Sequence, residues 1–172
     1  NKLMHPSDDI AANLAAINQR LDRALAEAGR TARPVIVAAS KTQGEDRIRA
    51  AIAAGIAVFG ENRVQEAKAK WPAVRADRPD IELRLIGPLQ SNKAGEAVGL
   101  FDVIESVDRP KIARAIADEI ARQGVRPRLL IQVNTGAEPQ KAGVLPHQVD
   151  EFLAYCRTEC GLDIEGLMCI PP

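Results

Sequence analysis

Hydrophobic residues along this chain follow two alternating spacings, one typical of helices and the other typical of buried strands. Over residues 7–29, isoleucines and leucines recur every three or four positions, which predicts an amphipathic helix. Residues 35–39 form a continuous apolar run, which predicts a strand buried on both faces. The same alternation predicts further helices over 45–54, 64–71, 91–98, 110–124 and 149–160, and further strands over 56–59, 83–86, 103–104, 129–133 and 164–170.

This alternation predicts an α/β fold, because successive strand–helix units require a parallel sheet that helices cover. The candidates are a doubly wound sheet and a (β/α) barrel, and no Gly-rich nucleotide motif favours the first. A complete (β/α)8 TIM barrel has eight strands and roughly 250 residues. We therefore expect a barrel represented by about six of its eight βα units. No linker or repeat divides it, so residues 1–172 should form one domain.

Composition narrows the classes of function. The chain carries 23 Lys and Arg residues against 23 Asp and Glu residues, so its formal net charge is zero. Such a chain lacks the positive field that nucleic-acid and anionic-membrane binders use. No apolar run approaches the roughly 20 residues that span a bilayer, and residues 1–6 lack the apolar core of a signal peptide. We expect a cytoplasmic protein without nucleic-acid or membrane partners.

Residue types that bind metals are few in this chain. Three cysteines lie near the end of the sequence, and His5 and His147 show no ligand spacing relative to them. A structural zinc site needs four such ligands, so we predict no metal site. We expect Cys156, Cys160 and Cys169 to be small buried hydrophobic residues instead.

Polar residues that carry chemistry follow the predicted strands, where the βα loops of a barrel form its active face. Lys41 comes directly after the first strand and should lie at the inner edge of the barrel. Burial lowers the pKa of a lysine, and the neutral amine attacks aldehydes to form a Schiff base. The alternative is a lysine that extends along the barrel rim into solvent.

Three uncharged side chains occupy similar positions after later strands. Asn62 and Asn134 could hydrogen-bond a ligand, or they could cap the helices that follow them. Met168 lies at the end of the sixth strand, where it could form a polarizable apolar wall or an ordinary part of the core.

Charged residues near these strand ends are further candidates. Lys93 follows the third strand and Lys141 follows the fifth, and a solvated surface charge is the alternative for each. Arg84 lies within the third strand, where alternation could turn it toward the barrel interior. A buried Arg needs an anionic partner. Glu61 is the candidate partner, unless it only complements the dipole of the following helix.

Four segments of the chain carry a family resemblance. They are Ala39-Ser40-Lys41-Thr42, Phe59-Gly60-Glu61-Asn62-Arg63-Val64-Gln65-Glu66, Leu85-Ile86-Gly87-Pro88-Leu89-Gln90-Ser91-Asn92-Lys93 and Gly166-Leu167-Met168-Cys169-Ile170-Pro171. Together they resemble the pyridoxal-phosphate homeostasis protein family, which is related to the N-terminal barrel domain of alanine racemase. The resemblance extends from the first predicted helix to the last residue, and weaker segments around Asn134 and Lys141 support it.

The resemblance implies a single barrel of the alanine-racemase N-terminal type that binds pyridoxal 5'-phosphate as a Schiff base on Lys41. It also implies that Asn62 and Met168 line the cofactor ring. The further candidate cofactor residues are Arg84, Asn134, Lys93 and Lys141.

Two departures from the family pattern bear on this site. Arg84 replaces the family's usual His two positions before the Ile-Gly of the third strand, which places a permanent cation near the cofactor. The family also continues with two further βα units, whose Ser, Gly and Arg residues hold the cofactor phosphate. We therefore expect a chain that lacks the C-terminal portion of its barrel.

The resemblance implies a carrier or regulator of intracellular pyridoxal phosphate, and thus of vitamin B6 pools, that has no catalytic residues. Its expected partners are the cofactor and the apo-enzymes that use it, and we expect a monomer. The alternative is a pyridoxal-phosphate-dependent amino-acid racemase or lyase. A racemase needs a second acid–base group opposite the lysine, and Tyr155, the only tyrosine, is a poor candidate within a predicted helix.

Overall fold

A parallel sheet of six strands organises residues 6–172, the part of the chain that this computed structural model describes. The strands lie side by side in chain order. This is the order of a (β/α) barrel, whereas a doubly wound sheet reverses its order at a switch point, so the barrel-type prediction is confirmed. The strands are β1 (Ala38–Ala39), β2 (Val58–Glu61), β3 (Glu82–Leu85), β4 (Val103–Val107), β5 (Arg128–Val133) and β6 (Ile164–Cys169).

Helices precede β1 and connect each pair of successive strands. Short 3₁₀ turns at Ser91–Lys93 and Pro146–Gln148 open two of these connections, and a π turn at Tyr155–Glu159 closes the last. None of the described helices combines the length and the apolar character that a bilayer-spanning helix requires. Residues 1–5, which enter the signal-peptide argument, lie outside the described residues. The helices are α1 (Pro6–Ala28), α2 (Glu45–Ala53), α3 (Val64–Asp77), α4 (Ala94–Leu100), α5 (Pro110–Gln123) and α6 (Val149–Ala154).

The hydrophobic core lies between one face of the sheet and the helices. Leu83 and Leu85 alternate along β3 and are fully buried. Leu85 pairs in register with Ile104, and Ile104 pairs with Leu129, so the apolar face continues across three strands. Trp71 of α3 is also fully buried. Each such side chain contributes roughly 1.5–3 kcal/mol by leaving water.

The other face of the strands carries charged residues that pair with one another. Arg84 lies 3.0 Å from Glu82 on its own strand and 3.2 Å from Glu105 on β4. Arg128 on β5 contacts Glu82 across the intervening strand, and it lies 3.9 Å from Glu165 on β6. Contact between residues two strands apart is what the concave face of a curved sheet allows.

The first and last strands are less buried than their apolar sequences predict. Only residues 38–39 of the predicted strand 35–39 pair with β2, and Val35 is 69% exposed. Burial on both faces is therefore wrong here, because β1 is an edge strand with one neighbour in the described chain. Leu167 of β6, at the opposite edge, is 61% exposed for the same reason.

α3 extends past its predicted end at residue 71 and includes Pro72. A proline inside a helix removes one backbone hydrogen bond. Trp71 and Val74, on either side of it, are both fully buried, and the Trp71 ring packs on Phe59 of β2 with 5.0 Å between ring centroids. This packing offsets the lost hydrogen bond. It depends on the contact between α3 and β2, which local sequence rules do not describe.

The cysteines have different environments, which corrects the expectation that all three are buried. Cys156 is fully buried, and desolvation together with the nearby Cys160 raises the pKa of its thiol to about 11. Cys160 is half-buried, and Cys169 is exposed because it lies on the edge strand β6.

The loops that follow β2 and β3 approach each other closely at Gly87. A Cβ atom on Gly87 would lie 2.2 Å from the backbone oxygen of Asn62 and 2.7 Å from its Cα atom. Side-chain atoms do not approach a backbone so closely, so the absence of a side chain at Gly87 permits this contact. The contact fixes Asn62 relative to the end of β3.

Gly87→Ala should destabilise the fold by about 1–3 kcal/mol, because the added methyl group must displace the backbone at Asn62. Gly44→Ala is the matched control, because a Cβ atom at Gly44 meets nothing within 4 Å. Urea unfolding of both variants measures the difference. Equal free energies of unfolding for the two variants would contradict the close approach of the loops.

Candidate functional site

Lys41 and Asn62 lie at the same edge of the sheet, after two adjacent strands. Ala39 pairs in register with Gly60, and the Ser40 amide continues the pairing by donating to the Gly60 carbonyl at 2.9 Å. Lys41 lies two residues after Ala39, and Asn62 lies two residues after Gly60. Lys41 and Asn62 therefore occupy equivalent positions at the carboxyl ends of β1 and β2.

Lys41 occupies the second position of a tight turn that begins at Ser40. The Gln43 amide closes the turn by donating to the Ser40 carbonyl at 3.1 Å. Thr42 has a φ of +62°, a left-handed conformation that costs a β-branched residue about 1–3 kcal/mol. Its hydroxyl donates to the Lys41 carbonyl at 2.6 Å, and its amide donates to the Glu66 carboxylate. These hydrogen bonds hold the strained residue in place.

The ammonium group of Lys70 on α3 holds both ends of this turn. It donates to the carbonyl of Ser40 at 2.7 Å and to that of Gln43 at 2.9 Å. It also lies 2.8 Å from the Glu61 carboxylate and 3.1 Å from the Glu66 carboxylate. Only 13% of the Lys70 side chain is exposed, so these charge-assisted contacts form largely away from water. The turn is thus clamped to α3.

Glu61, the last residue of β2, is a fully buried carboxylate beneath the turn. Its Oε1 atom accepts hydrogen bonds from the Ser40 hydroxyl at 2.9 Å and from the Trp71 indole at 2.8 Å, in addition to its contact with Lys70. These three donors offset part of the cost of removing the charge from water, while Oε2 is buried without a hydrogen-bond partner in the described chain. Glu61 therefore pairs with Lys70, and the alternative in which it pairs with Arg84 is wrong.

Glu66 connects the strained residue of the turn to the clamp. The hydrogen bond from the Thr42 amide, and then the hydrogen bond from Lys70, hold the pKa of Glu66 below its usual range. Its stabilising contribution is therefore present above the unfolded-state pKa and is lost as the pH falls through the lowered folded-state value. At neutral pH the Glu66 carboxylate is therefore charged when it accepts the Thr42 amide.

Neither Lys41 nor Asn62 uses its side chain in a hydrogen bond or ion pair within the described part of the chain. The Lys41 side chain is exposed, so the expectation of a buried lysine is wrong for this structure and the alternative, a side chain that extends into solvent, holds. The Lys41 carbonyl accepts the Thr42 hydroxyl. The N-cap of α3 is Arg63, without a side-chain capping bond, so the alternative that Asn62 caps this helix is wrong. Both side chains are free to contact a ligand.

Asn134 is buried and organises the loop after β5. Its side-chain nitrogen donates to the carbonyl groups of Glu138 at 2.7 Å and Lys141 at 3.3 Å, and its side-chain oxygen accepts from the Glu138 amide. α6 begins much later, at Val149, so the helix-cap alternative is wrong here too. Lys141 lies 2.6 Å from the Glu138 carboxylate and donates to the Pro171 carbonyl, which ties this loop to the segment after β6.

The remaining candidates lie elsewhere on the sheet and its edge. Arg84 pairs with two carboxylates on the inner face of the sheet, and it lies within β3 rather than in the loop that follows. Lys93 ends the 3₁₀ turn after β3 and donates to the Gln65 side chain at 3.3 Å. Met168 lies on β6, in register with Gln132, on the edge strand opposite β1. Lys41 and Asn62 are thus the two candidates that the strand register places at equivalent positions.

Sequence reasoning missed the role of Lys70 and Trp71 in holding the turn. Lys70 follows Glu66 by four residues, a spacing that places two side chains together on one face of a helix. That spacing is a usable sequence signal for the clamp. The burial of Glu61 depends on how α3 packs against β2, which no local pattern reveals.

Comparison with known proteins places the chain in a family. The model of the alanine racemase N-terminal domain family matches residues 7–172. The pyridoxal phosphate homeostasis protein of Aquifex aeolicus is 35% identical over 160 residues, which cover 92% of this chain and 69% of that protein. The protein of the same name from Pseudomonas aeruginosa is 37% identical over 164 residues, with 94% and 70% covered.

Solved structures agree with these sequence relatives. PipY of Synechococcus elongatus, solved with PLP bound, is 38% identical, has a TM-score of 0.77 and is matched over 95% of this chain and 71% of its own. Alanine racemase from Streptomyces coelicolor has a TM-score of 0.71 at 20% identity, over 95% of this chain and 42% of its own, which shows a common fold alone. The chain therefore belongs to the alanine racemase N-terminal domain family and, within it, to the pyridoxal phosphate homeostasis proteins.

Proposed function

We propose that this chain binds pyridoxal phosphate through Lys41 and acts in the homeostasis of that cofactor. Its relatives carry the homeostasis name, and the similar PipY protein has a structure with PLP bound. The observation that carries the proposal is the placement of Lys41. Its exposed side chain extends from a turn whose two ends Lys70 clamps in place.

The side chains at the carboxyl ends of the strands fit the cofactor. Pyridoxal phosphate supplies an aldehyde that condenses reversibly with a primary amine, so its protein must present an amine free of other partners. Lys41 meets this requirement within the described part of the chain. Asn62 offers a free amide at the equivalent position after β2, and Met168 offers an apolar contact from β6. We assign both to the cofactor ring.

Lys70 and Glu61 act as positioning residues for Lys41. Lys70 holds the backbone carbonyls of Ser40 and Gln43, on either side of the lysine, and Glu61 accepts the Ser40 hydroxyl. Mobility is then confined to the Lys41 side chain, so binding orders a few rotatable bonds rather than a loop. A preorganised amine gains affinity because less conformational entropy is lost.

The proposal includes cofactor binding without turnover, with apo-enzymes as recipients of the cofactor. Racemisation needs a second acid–base group, and the chain has one tyrosine. Tyr155 stacks on Phe152 with 6.4 Å between ring centroids, and the neighbouring Cys160 thiol raises the pKa of its phenol. A phenol with a raised pKa is a weaker candidate for a base at neutral pH. We expect no alanine racemisation above background.

Lys41→Ala should abolish the cofactor adduct that borohydride reduction traps, while leaving the melting temperature nearly unchanged because the side chain is exposed. Absorbance spectra followed by peptide mass mapping measure this. Lys68→Ala, an exposed lysine on α3, is the control and should retain the adduct. An adduct that persists in folded Lys41→Ala protein, for example on Lys93 or Lys141, would refute the assignment.

Lys70→Met should weaken pyridoxal phosphate binding by about tenfold or more while Lys41 is intact, because the turn loses its hold on both carbonyl groups. Lys68→Met on the same helix is the matched control, since its ammonium contacts only Glu96 within the described chain. Titration monitored by absorbance gives the affinities. Lys70→Arg, which keeps the charge, should recover part of the loss.

This comparison separates positioning from general stability. Lys70→Met leaves the buried Glu61 carboxylate without its cation, so some loss of melting temperature is expected. Binding is therefore measured well below the melting temperature of each variant, on protein with a native circular dichroism spectrum. Unchanged affinity in folded Lys70→Met protein would show that the clamp does not position Lys41.

A further inference from the structure

A cavity of about 570 Å³ opens at the carboxyl ends of the strands, beside the loops that follow β2, β3 and β4. We call it the rim cavity. Its side chains come from the starts of α3 and α5 and from the loop after β3. The lining residues are Asn62, Arg63, Val64, Gln65, Pro88, Leu89, Gln90, Lys93 and Arg109.

The lining of the rim cavity is positively charged in a chain of zero net charge. It contains Arg63, Lys93 and Arg109 and, among the described residues, no Asp or Glu. Arg63 forms no ion pair within 4.0 Å in the described chain, and the carboxylate nearest to Lys93, that of Glu96, lies 3.7 Å away. At least one of these charges is thus without a bound counter-charge.

Two of the cations are fixed in the cavity wall. Arg109 donates to the Leu89 carbonyl at 2.9 Å, and Lys93 donates to the Gln65 side chain at 3.3 Å. Arg109 also lies 3.0 Å from the Asp108 carboxylate, and each cation keeps further donors that these contacts do not use. The cavity therefore holds ordered cationic donors rather than freely moving surface chains.

Uncharged donors complete the lining. Asn62, Gln65 and Gln90 contribute side-chain amides. Arg63 is the N-cap of α3 and makes no side-chain capping bond there. The first backbone amides of α3 therefore remain available at the end of the helix that lines the cavity. Such amides add a partial positive charge to the cationic side chains.

We propose that the rim cavity binds a small phosphate-bearing anion. Guanidinium groups match phosphate oxygens with paired hydrogen bonds, and a lysine adds a point charge, so the lining suits a tetrahedral oxyanion. The cavity volume accommodates a phosphomonoester of metabolite size. The cavity shares Asn62 with the proposed cofactor site but does not include Lys41, and its occupancy does not depend on the proposed function of that lysine.

The test uses inorganic phosphate as the probe and the Lys41→Ala chain as the protein, so that the lysine site cannot contribute. Phosphate is titrated at constant ionic strength, and amide signals are followed by two-dimensional nuclear magnetic resonance. We expect saturable shifts at Val64, Gln65 and Gln90. Arg63→Gln/Lys93→Gln should weaken phosphate binding by about tenfold or more, because two charge-assisted contacts are lost.

Two controls make the result decisive. Arg20→Gln/Arg23→Gln removes the same charge from the exposed face of α1 and should leave the affinity unchanged. Acetate, a planar oxyanion, should bind more weakly than phosphate. Arg63→Gln alone, at an exposed position, serves if the double variant is poorly folded. The proposal is overturned by shifts that do not saturate, by equal affinity in the cavity and α1 variants, or by acetate binding as tightly as phosphate.

Discussion

The buried ion pair between Lys70 and Glu61 is the constraint on which the candidate site depends. A carboxylate with no exposed surface is costly where it lacks hydrogen bonds, and Glu61 Oε1 receives donors from Ser40, directly after β1, and from Trp71 and Lys70 of α3. Moving any one of these elements would leave a buried charge with too few partners. Electrostatics thus fixes the first two strands and α3 as one unit, and the turn that carries Lys41 is part of it.

The same constraint explains why a strained residue is stable in that turn. Thr42 at φ +62° would relax to an extended conformation in an isolated peptide. Here Lys70 holds the carbonyl groups at both ends of the turn, and Glu66 accepts the Thr42 amide. The strain of about 1–3 kcal/mol is smaller than the cost of breaking several charge-assisted contacts. These contacts keep the turn, and with it the backbone of Lys41, in one conformation.

Sequence periodicity was sufficient for the order of strands and helices because both patterns have fixed periods and burial enforces them. It also placed Lys41 and Asn62 at strand ends, since a parallel sheet brings its carboxyl ends to one edge. Tertiary packing decided the rest. The continuation of α3 through Pro72 depends on the burial of Trp71, and the partner of Glu61 depends on α3 lying across β2. Neither contact has a local signature.

The distribution of charge at the sheet edge follows from these placements. Each of the first five strands is followed by a loop or turn that carries a cation. These cations are Lys41, Arg63, Lys93, Arg109 and Lys141. Screening confines the attraction of exposed charges to about 8 Å at physiological salt, so a chain of zero net charge can still attract anions locally. Lys141, Arg109 and Lys93 have carboxylates within 3.7 Å, which reduces their effect. The attraction is therefore strongest around Lys41 and Arg63, the two cations whose loops lie beside Asn62.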